Sequence, residues 1–166
     1  MREATLCLLV HKDARKVLLG MKKRGFGKGN YNGFGGGREE GESFEEATIR
    51  ELQEEIDVKT NAKDLYKVGS FRFYFPVKKE NNHLVQVYLA ERWEGTPKES
   101  EEMAPKWFDF EKIPYDKMWD ADKYWLPLIM KGKKIDAEFF FDHDNKSIKK
   151  YDLKELDWFS HQTFIY

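Results

Sequence analysis

The stretch "GGGREEGESFEEATIRELQEEIDV", residues 35–58, runs three glycines into a segment that holds eight glutamates. Like charges three or four residues apart on a helix repel by a few tenths of a kcal/mol per pair. The segment still reads as a helix over residues 43–57. Ser43 stands where an N-cap belongs and Glu46 follows three residues later, the two halves of a capping box. With Glu51 set at zero and about 100° per residue, Glu55 falls at about 40° and Glu54 at about 300°. Three carboxylates therefore share one narrow face. Ile49, Leu52 and Ile56 fall between about 100° and 160° and make the apolar stripe that would dock the helix. A solvated acidic face is the ordinary account of such a helix. A bound divalent cation is the alternative, because hard cations take carboxylate oxygens.

Upstream, "RGFGKGNYNGFGGG" (24–37) carries seven of the twelve glycines in the chain. It reads as a loop, and Phe26, Tyr31 and Phe34 argue against a flexible linker. The spacing then becomes specific. Gly36 is followed by five residues, Glu42, seven more residues, and Arg50-Glu51-Leu52-Gln53-Glu54-Glu55. This resembles the signature of the Nudix hydrolases. Six polar or glycine positions match at fixed spacing, and Leu52 and Val58 are apolar where the signature wants them. Chance would give such a match on the order of 10⁻⁶ times per starting point at ordinary residue frequencies. One position departs: Asp57 stands where the signature has a glycine. Asp can adopt the left-handed conformation at some cost, and the departure touches the helix end, not the ligands.

The resemblance implies a Nudix-type α/β/α sandwich around a mixed β-sheet and hydrolysis of a diphosphate linked to another group. It implies that Glu51, Glu54 and Glu55 bind Mg²⁺, with Mn²⁺ as a substitute, together with the Gly35 carbonyl. Arg50 would orient the glutamates, Glu42 would support the loop, and Glu54 or Glu55 would act as base. Further stretches, "LLGMKKRGFGKGNYNGFGG", "EGTPKESEEMAPKWF", "IPYDKMWDADKYWLPL" and "DAEFFFD", are similar to the branch of the family that acts on oxidised purine nucleoside triphosphates of the 8-oxo-dGTP type. That likeness implies a substrate site. Lys22 would meet sugar or phosphate and Asn32 the base. Phe26, Phe73 and Trp119 would wall the purine, and Asp122 would read its edge. Phe34, Gly35, Gly36 and Gly37 would line the substrate loop, and Glu102 would lie near the metals.

Two departures bear on specificity. Ala121 stands where the branch has the first of two adjacent aspartates, and Cys7 stands where it has a pocket threonine. A lone ionised Asp122 only accepts hydrogen bonds, so a preference for 8-oxoguanine over 2-hydroxyadenine is expected, unless Asp120 takes the vacant role. Each residue also has a bland account: Trp119 and Phe73 as core aromatics, Lys22 as a surface lysine, Asp122 as a helix-start residue, Asn32 as a turn former. Other Nudix substrates (a dinucleoside polyphosphate, a nucleotide sugar, an ordinary dNTP) and a silent nucleotide sensor are the rival functions. Retention of all three helix glutamates disfavours the sensor.

The remaining chain supplies strands. "ATLCLLV" and "KVLLGMK" flank a polar turn and predict a hairpin over 4–22. Residues 65–75 and 84–93 alternate as strands, 106–110 make a short strand or turn, and 120–130 make a short helix that contains Pro127. "AEFFFDH" and "SIKKYDL" predict a last hairpin. Strands on both sides of one central helix fit an α/β sandwich. At 166 residues a single domain over 1–166 is expected. The net charge of −1 disfavours a nucleic-acid polymer or an anionic membrane as partner. One cysteine and no membrane-length apolar run point to the cytoplasm; the resemblance implies a small-molecule nucleotide substrate, and a monomer is expected.

Overall fold

The computed structural model describes residues 1–156; the expectation that Trp158, Phe159 and Phe164 cap the core or meet a partner falls outside them. Strands β1 (Arg2–His11) and β2 (Lys16–Lys22) form the expected antiparallel hairpin. The strands of the described residues make one mixed sheet in the order β3-β2-β1-β5-β4-β7-β8, where β3 is Tyr31–Asn32, β4 Leu65–Tyr74, β5 His83–Ala90, β7 Ile135–Phe141 and β8 Ile148–Glu155. β1 runs parallel to β5, and β4 parallel to β7; the remaining neighbours in that order are antiparallel. The short strand expected near 106–110 is longer than its apolar run suggests. As β6 (Met103–Asp109) it pairs with β2 over seven positions.

Side-chain alternation along β1 assigns the two faces of the sheet. Cys7 and Leu9 point into a cluster with Leu52 and Ile56 of helix α1 (Phe44–Ile56). Leu8 and Val10 point into a second cluster with Trp125, Leu126 and Ile129 of helix α2 (Asp122–Met130). The helices thus cover opposite faces, which is the α/β/α sandwich the sequence leads one to expect. Among the described residues no helix is long and apolar enough to cross a membrane.

α1 begins and ends as its sequence dictates. Ser43 Oγ accepts from the Glu46 N–H at 3.0 Å, and the Glu46 carboxylate accepts from the Ser43 N–H at 2.9 Å. Asp57 closes the helix in the left-handed region (φ 55°, ψ 42°), and its N–H bonds back to the Gln53 carbonyl. Asp120 does not cap α2. Its carboxylate instead accepts from the Ile148 N–H at 2.8 Å and pairs with Lys123 at 2.7 Å. Replacing Ser43 by Ala removes one half of a complete capping box, so denaturant unfolding of Ser43→Ala should show a loss of about 1 kcal/mol with an unchanged m-value.

Candidate active site

The glycine loop runs beside β1 at backbone distance. Cys7 and Phe34 exchange N–H···O bonds of 2.6 and 2.9 Å, and the Thr5 N–H donates to the Gly36 carbonyl at 3.0 Å. No side chain would fit at Gly35 or Gly36. A Cβ on Gly35 would lie 1.9 Å from the Thr5 carbonyl oxygen, and one on Gly36 would lie 2.5 Å from Glu51 Oε1. This closeness lets the Gly35 N–H donate to Glu55 Oε1 at 2.7 Å. Glu55 is 1% exposed, and burial, followed by the charge of Glu51, pushes its carboxyl up to about 8. Burial also raises Glu51, against the pull of Arg50. The three helix glutamates are therefore graded: Glu55 is enclosed, the Glu51 side chain is 13% exposed and that of Glu54 is 57% exposed.

Arg50 ties this face to the loop. Its Nε and Nη2 donate to the two carboxylate oxygens of Glu42 at 2.5 and 3.1 Å, and Nη2 also reaches the Gly37 carbonyl at 3.0 Å. Nη1 donates to Glu51 at 3.0 Å and to Glu54 at 3.4 Å. A guanidinium offers a planar fork of donors for such a clamp, which an ammonium lacks. The fork holds Glu42 below the ordinary carboxylate range. Glu102, on the loop before β6, accepts from Lys22 Nζ at 3.1 Å, and its charge contributes to raising both Glu51 and Glu55. Among the described residues no three acidic or histidine side chains converge on one point at ligating distance. The donor set nonetheless fits a divalent cation. All the donors are hard oxygens, and the excess negative charge on enclosed carboxylates is what such an ion offsets.

Beside this face lies a cavity of about 270 Å³. Lys22, Asn32, Gly35, Gly36 and Glu55 line it, and so do Phe26, Phe73, Trp119 and Asp122. Phe26 is 71% exposed, and its ring sits 5.0 Å from that of Trp119. Asp122 is 5% exposed. Its Oδ1 accepts from the Trp125 indole N–H at 3.1 Å, while its buried Oδ2 has no partner among the described residues. Burial pushes this carboxyl up to about 7. Ala121 is packed in the core, and Asp120 is held away by Ile148 and Lys123, so neither supplies a second carboxylate.

Three expected substrate contacts do not reach the cavity. Cys7 and Phe34 lie on the α1 face, both fully buried; burial pushes the Cys7 thiol far above its ordinary range. The Gly37 carbonyl is taken by Arg50. Sequence reasoning also missed cavity residues: Phe71, Phe75, His83, Trp125 and Phe141. A signal was present, since Phe71, Phe73 and Phe75 alternate along one strand and so share a face.

A NUDIX domain model matches residues 1–129. The chain belongs to the Nudix family. It is a hydrolase of that family, whose members generally use divalent metal ions. It is 45% identical over 155 residues to the oxidized purine nucleoside triphosphate hydrolase of Mus musculus, covering 93% of this chain and 96% of that one. The Danio rerio protein of the same name is 45% identical over 154 residues, covering 92% and 94%. The 8-oxo-dGTP diphosphatase of Escherichia coli is 31% identical over 101 residues, covering 61% and 72%. A crystal structure of a MutT protein from Bacillus halodurans shares the fold, with a TM-score of 0.78 at 24% identity over 92% of this chain and 97% of that one.

Asp122 makes the stability of this Nudix chain depend on pH. Its folded pKa is raised, so between about pH 4 and pH 7 the unfolded chain has released a proton that the fold retains. Stability contributed by the protonated form is therefore lost as pH rises through that window, and is level above it. In thermal scans, Asp122→Asn should melt at least about 4 °C above the wild type at pH 8 and show a much smaller difference at pH 4.

Proposed function

We propose that the chain hydrolyses oxidised purine nucleoside triphosphates of the 8-oxo-dGTP type to the monophosphate and pyrophosphate, with Mg²⁺ as its ion, and so removes damaged nucleotides from the pool. One observation carries this reading: a single cavity is lined both by stacking rings with a buried, half-unpaired carboxyl and by the Gly35–Gly36–Glu55 junction. A purine and its triphosphate would bridge the two parts. The printed names of the mouse, zebrafish and Escherichia coli relatives agree with it.

The roles follow from the geometry. Phe73, Trp119 and Phe26 wall the base, and stacking is worth roughly 1–3 kcal/mol per base whatever the base. Selectivity comes from the edge. Asn32 Oδ1 already accepts from the Gly33 N–H at 3.0 Å, which leaves its amide N–H₂ to donate to a base oxygen. Asp122 Oδ2 supplies the opposite polarity. Lys22 sits at the cavity wall as the cation nearest the phosphate path. Glu51, Glu54, Glu55, Glu102 and the Gly35 carbonyl would hold the metal. When bound, it neutralises charge developing on phosphate oxygens and lowers the pKa of a water. Water attacks phosphorus, the P–O bond to the pyrophosphate leaving group breaks, and Glu54, the most exposed of the three, takes the water's proton.

Asp122 changes the expected preference. With its carboxyl at about 7, it presents either a lone pair or an O–H near neutral pH. The ionised form suits the N–H donors of the guanine edge. The ratio of kcat/KM for 8-oxo-dGTP over 2-hydroxy-dATP should therefore rise about tenfold from pH 6 to pH 8. In Asp122→Asn that ratio should be flat.

Pyrophosphate release with Mg²⁺ across dGTP, 8-oxo-dGTP, 2-hydroxy-dATP and a dinucleoside tetraphosphate tests the assignment. 8-oxo-dGTP should be cleaved fastest, and Glu54→Gln should lower kcat at least a hundredfold with substrate affinity retained. Faster cleavage of the dinucleoside tetraphosphate would overturn it.

A further inference from the structure

The cavity wall carries a ring nitrogen that has no hydrogen-bond partner among the described residues. His83 opens β5 and lines the cavity. It lies across from Phe73 in the β4–β5 ladder and stacks on it at 5.0 Å and 23°. Its Nδ1 lies 2.7 Å from the Asn81 carbonyl oxygen, the one hydrogen bond its ring makes among the described residues. A carbonyl can only accept, so Nδ1 carries the proton, and a neutral ring then bears a bare lone pair on Nε2. Burial, with Arg2 as the charged neighbour, lowers the imidazole pKa and keeps the ring neutral.

Placement separates this acceptor from Asp122. Asp122 bonds to Trp125, Trp125 packs on Phe71 at 4.9 Å, Phe71 on Phe73 at 6.4 Å, and Phe73 on His83. The two partnerless acceptors therefore end a row of three aromatic rings. A purine likewise carries polar groups on two edges, one on each of its rings. With Asp122 on the six-membered ring, as the functional reading above has it, His83 is left to meet the five-membered ring. Oxidation at C8 changes that edge: N7 is a lone pair in guanine and an N–H in 8-oxoguanine.

We propose that His83 determines specificity for the oxidised base, its Nε2 accepting the N7–H that 8-oxidation creates and opposing the N7 lone pair of an intact purine. The assignment rests on the purine-triphosphate reading of this cavity. A site built to accept from an N–H rejects the analogue that lacks it, because its own polar atom is then left unpaired.

The test measures kcat/KM on 8-oxo-dGTP, dGTP and 2-hydroxy-dATP for wild type and His83→Phe, which keeps the stacked ring and removes the acceptor. His83→Leu serves as a second apolar replacement should the Phe ring fail to pack, with folding checked by thermal scans. The expected result is a loss of about tenfold on 8-oxo-dGTP, with dGTP and 2-hydroxy-dATP undiminished or improved, since the acceptor that opposed their N7 lone pair is gone. A fall by one common factor on all three substrates would mark His83 as structural and overturn the proposal, as would an unchanged preference. A wild-type enzyme with no preference for 8-oxo-dGTP over dGTP would instead overturn the functional reading, and this assignment with it.

Discussion

The architecture of the site depends on one close approach, that of the Gly35 backbone to Glu55 on α1. The 2.7 Å bond between them forms only because neither Gly35 nor Gly36 carries a Cβ, which would strike the Thr5 backbone or the Glu51 carboxylate. Leu52 and Ile56, sunk against Cys7 and Leu9, set the depth of the helix. Arg50 then fixes its rotation, with Glu42 and the Gly37 carbonyl on one side and Glu51 and Glu54 on the other. A carboxylate enclosed this way loses several kcal/mol of hydration, which is why its proton is held until about pH 8. The acidic face is therefore graded from the enclosed Glu55 to the exposed Glu54, and is not a preformed cage. It is a set of carboxylates held near one another by an arginine and a backbone amide.

The sheet connects this junction to the cavity. Ala4 and Leu6 of β1 line the cavity, and Thr5 and Cys7, on the alternate side chains, serve the α1 face. The Thr5 hydroxyl bonds to that of Thr48 on α1, while its backbone pairs with Gly36. A two-residue period thus assigns the cavity and the α1 face to alternate side chains of one strand. The glycine loop crosses between them, with Asn32, Gly35 and Gly36 at the cavity and Phe34 beneath the helix.

Local features were readable from the sequence; face assignments were not. The capping box, the left-handed Asp57 and the Arg50–glutamate face all depend on residues within about two turns, so spacing alone places them. Cys7 and Phe34 fell on the wrong side because the burial of a strand residue follows from partners far along the chain, here Tyr88 and Leu52. His83 was invisible for the same reason: its place comes from lying across from Phe73, ten residues earlier, and beside a cavity lined by seven strands and α2. Asp120 and Asp122 look equivalent in "DADK". A bond from the Ile148 N–H, 28 residues on, removes the first from contention.

Glu55 and Asp122 are both enclosed carboxyls with raised pKa values, yet they are raised by different surroundings and relieved by different ligands. The raised value of Glu55 includes repulsion from Glu51 and Glu102, so a cation lowers its electrostatic cost directly. Asp122 has no charged neighbour that shifts it; its elevation is desolvation opposed only by hydrogen bonds, with one oxygen left over. Only a ligand that carries a donor into the cavity can relieve that oxygen. A cation and a donor-bearing ligand would therefore relieve separate defects of the same fold, and the stabilisation each brought would be largest at the pH where its carboxyl is otherwise least comfortable. A cavity lined by two such unrelieved groups is less stable empty than an apolar cavity would be.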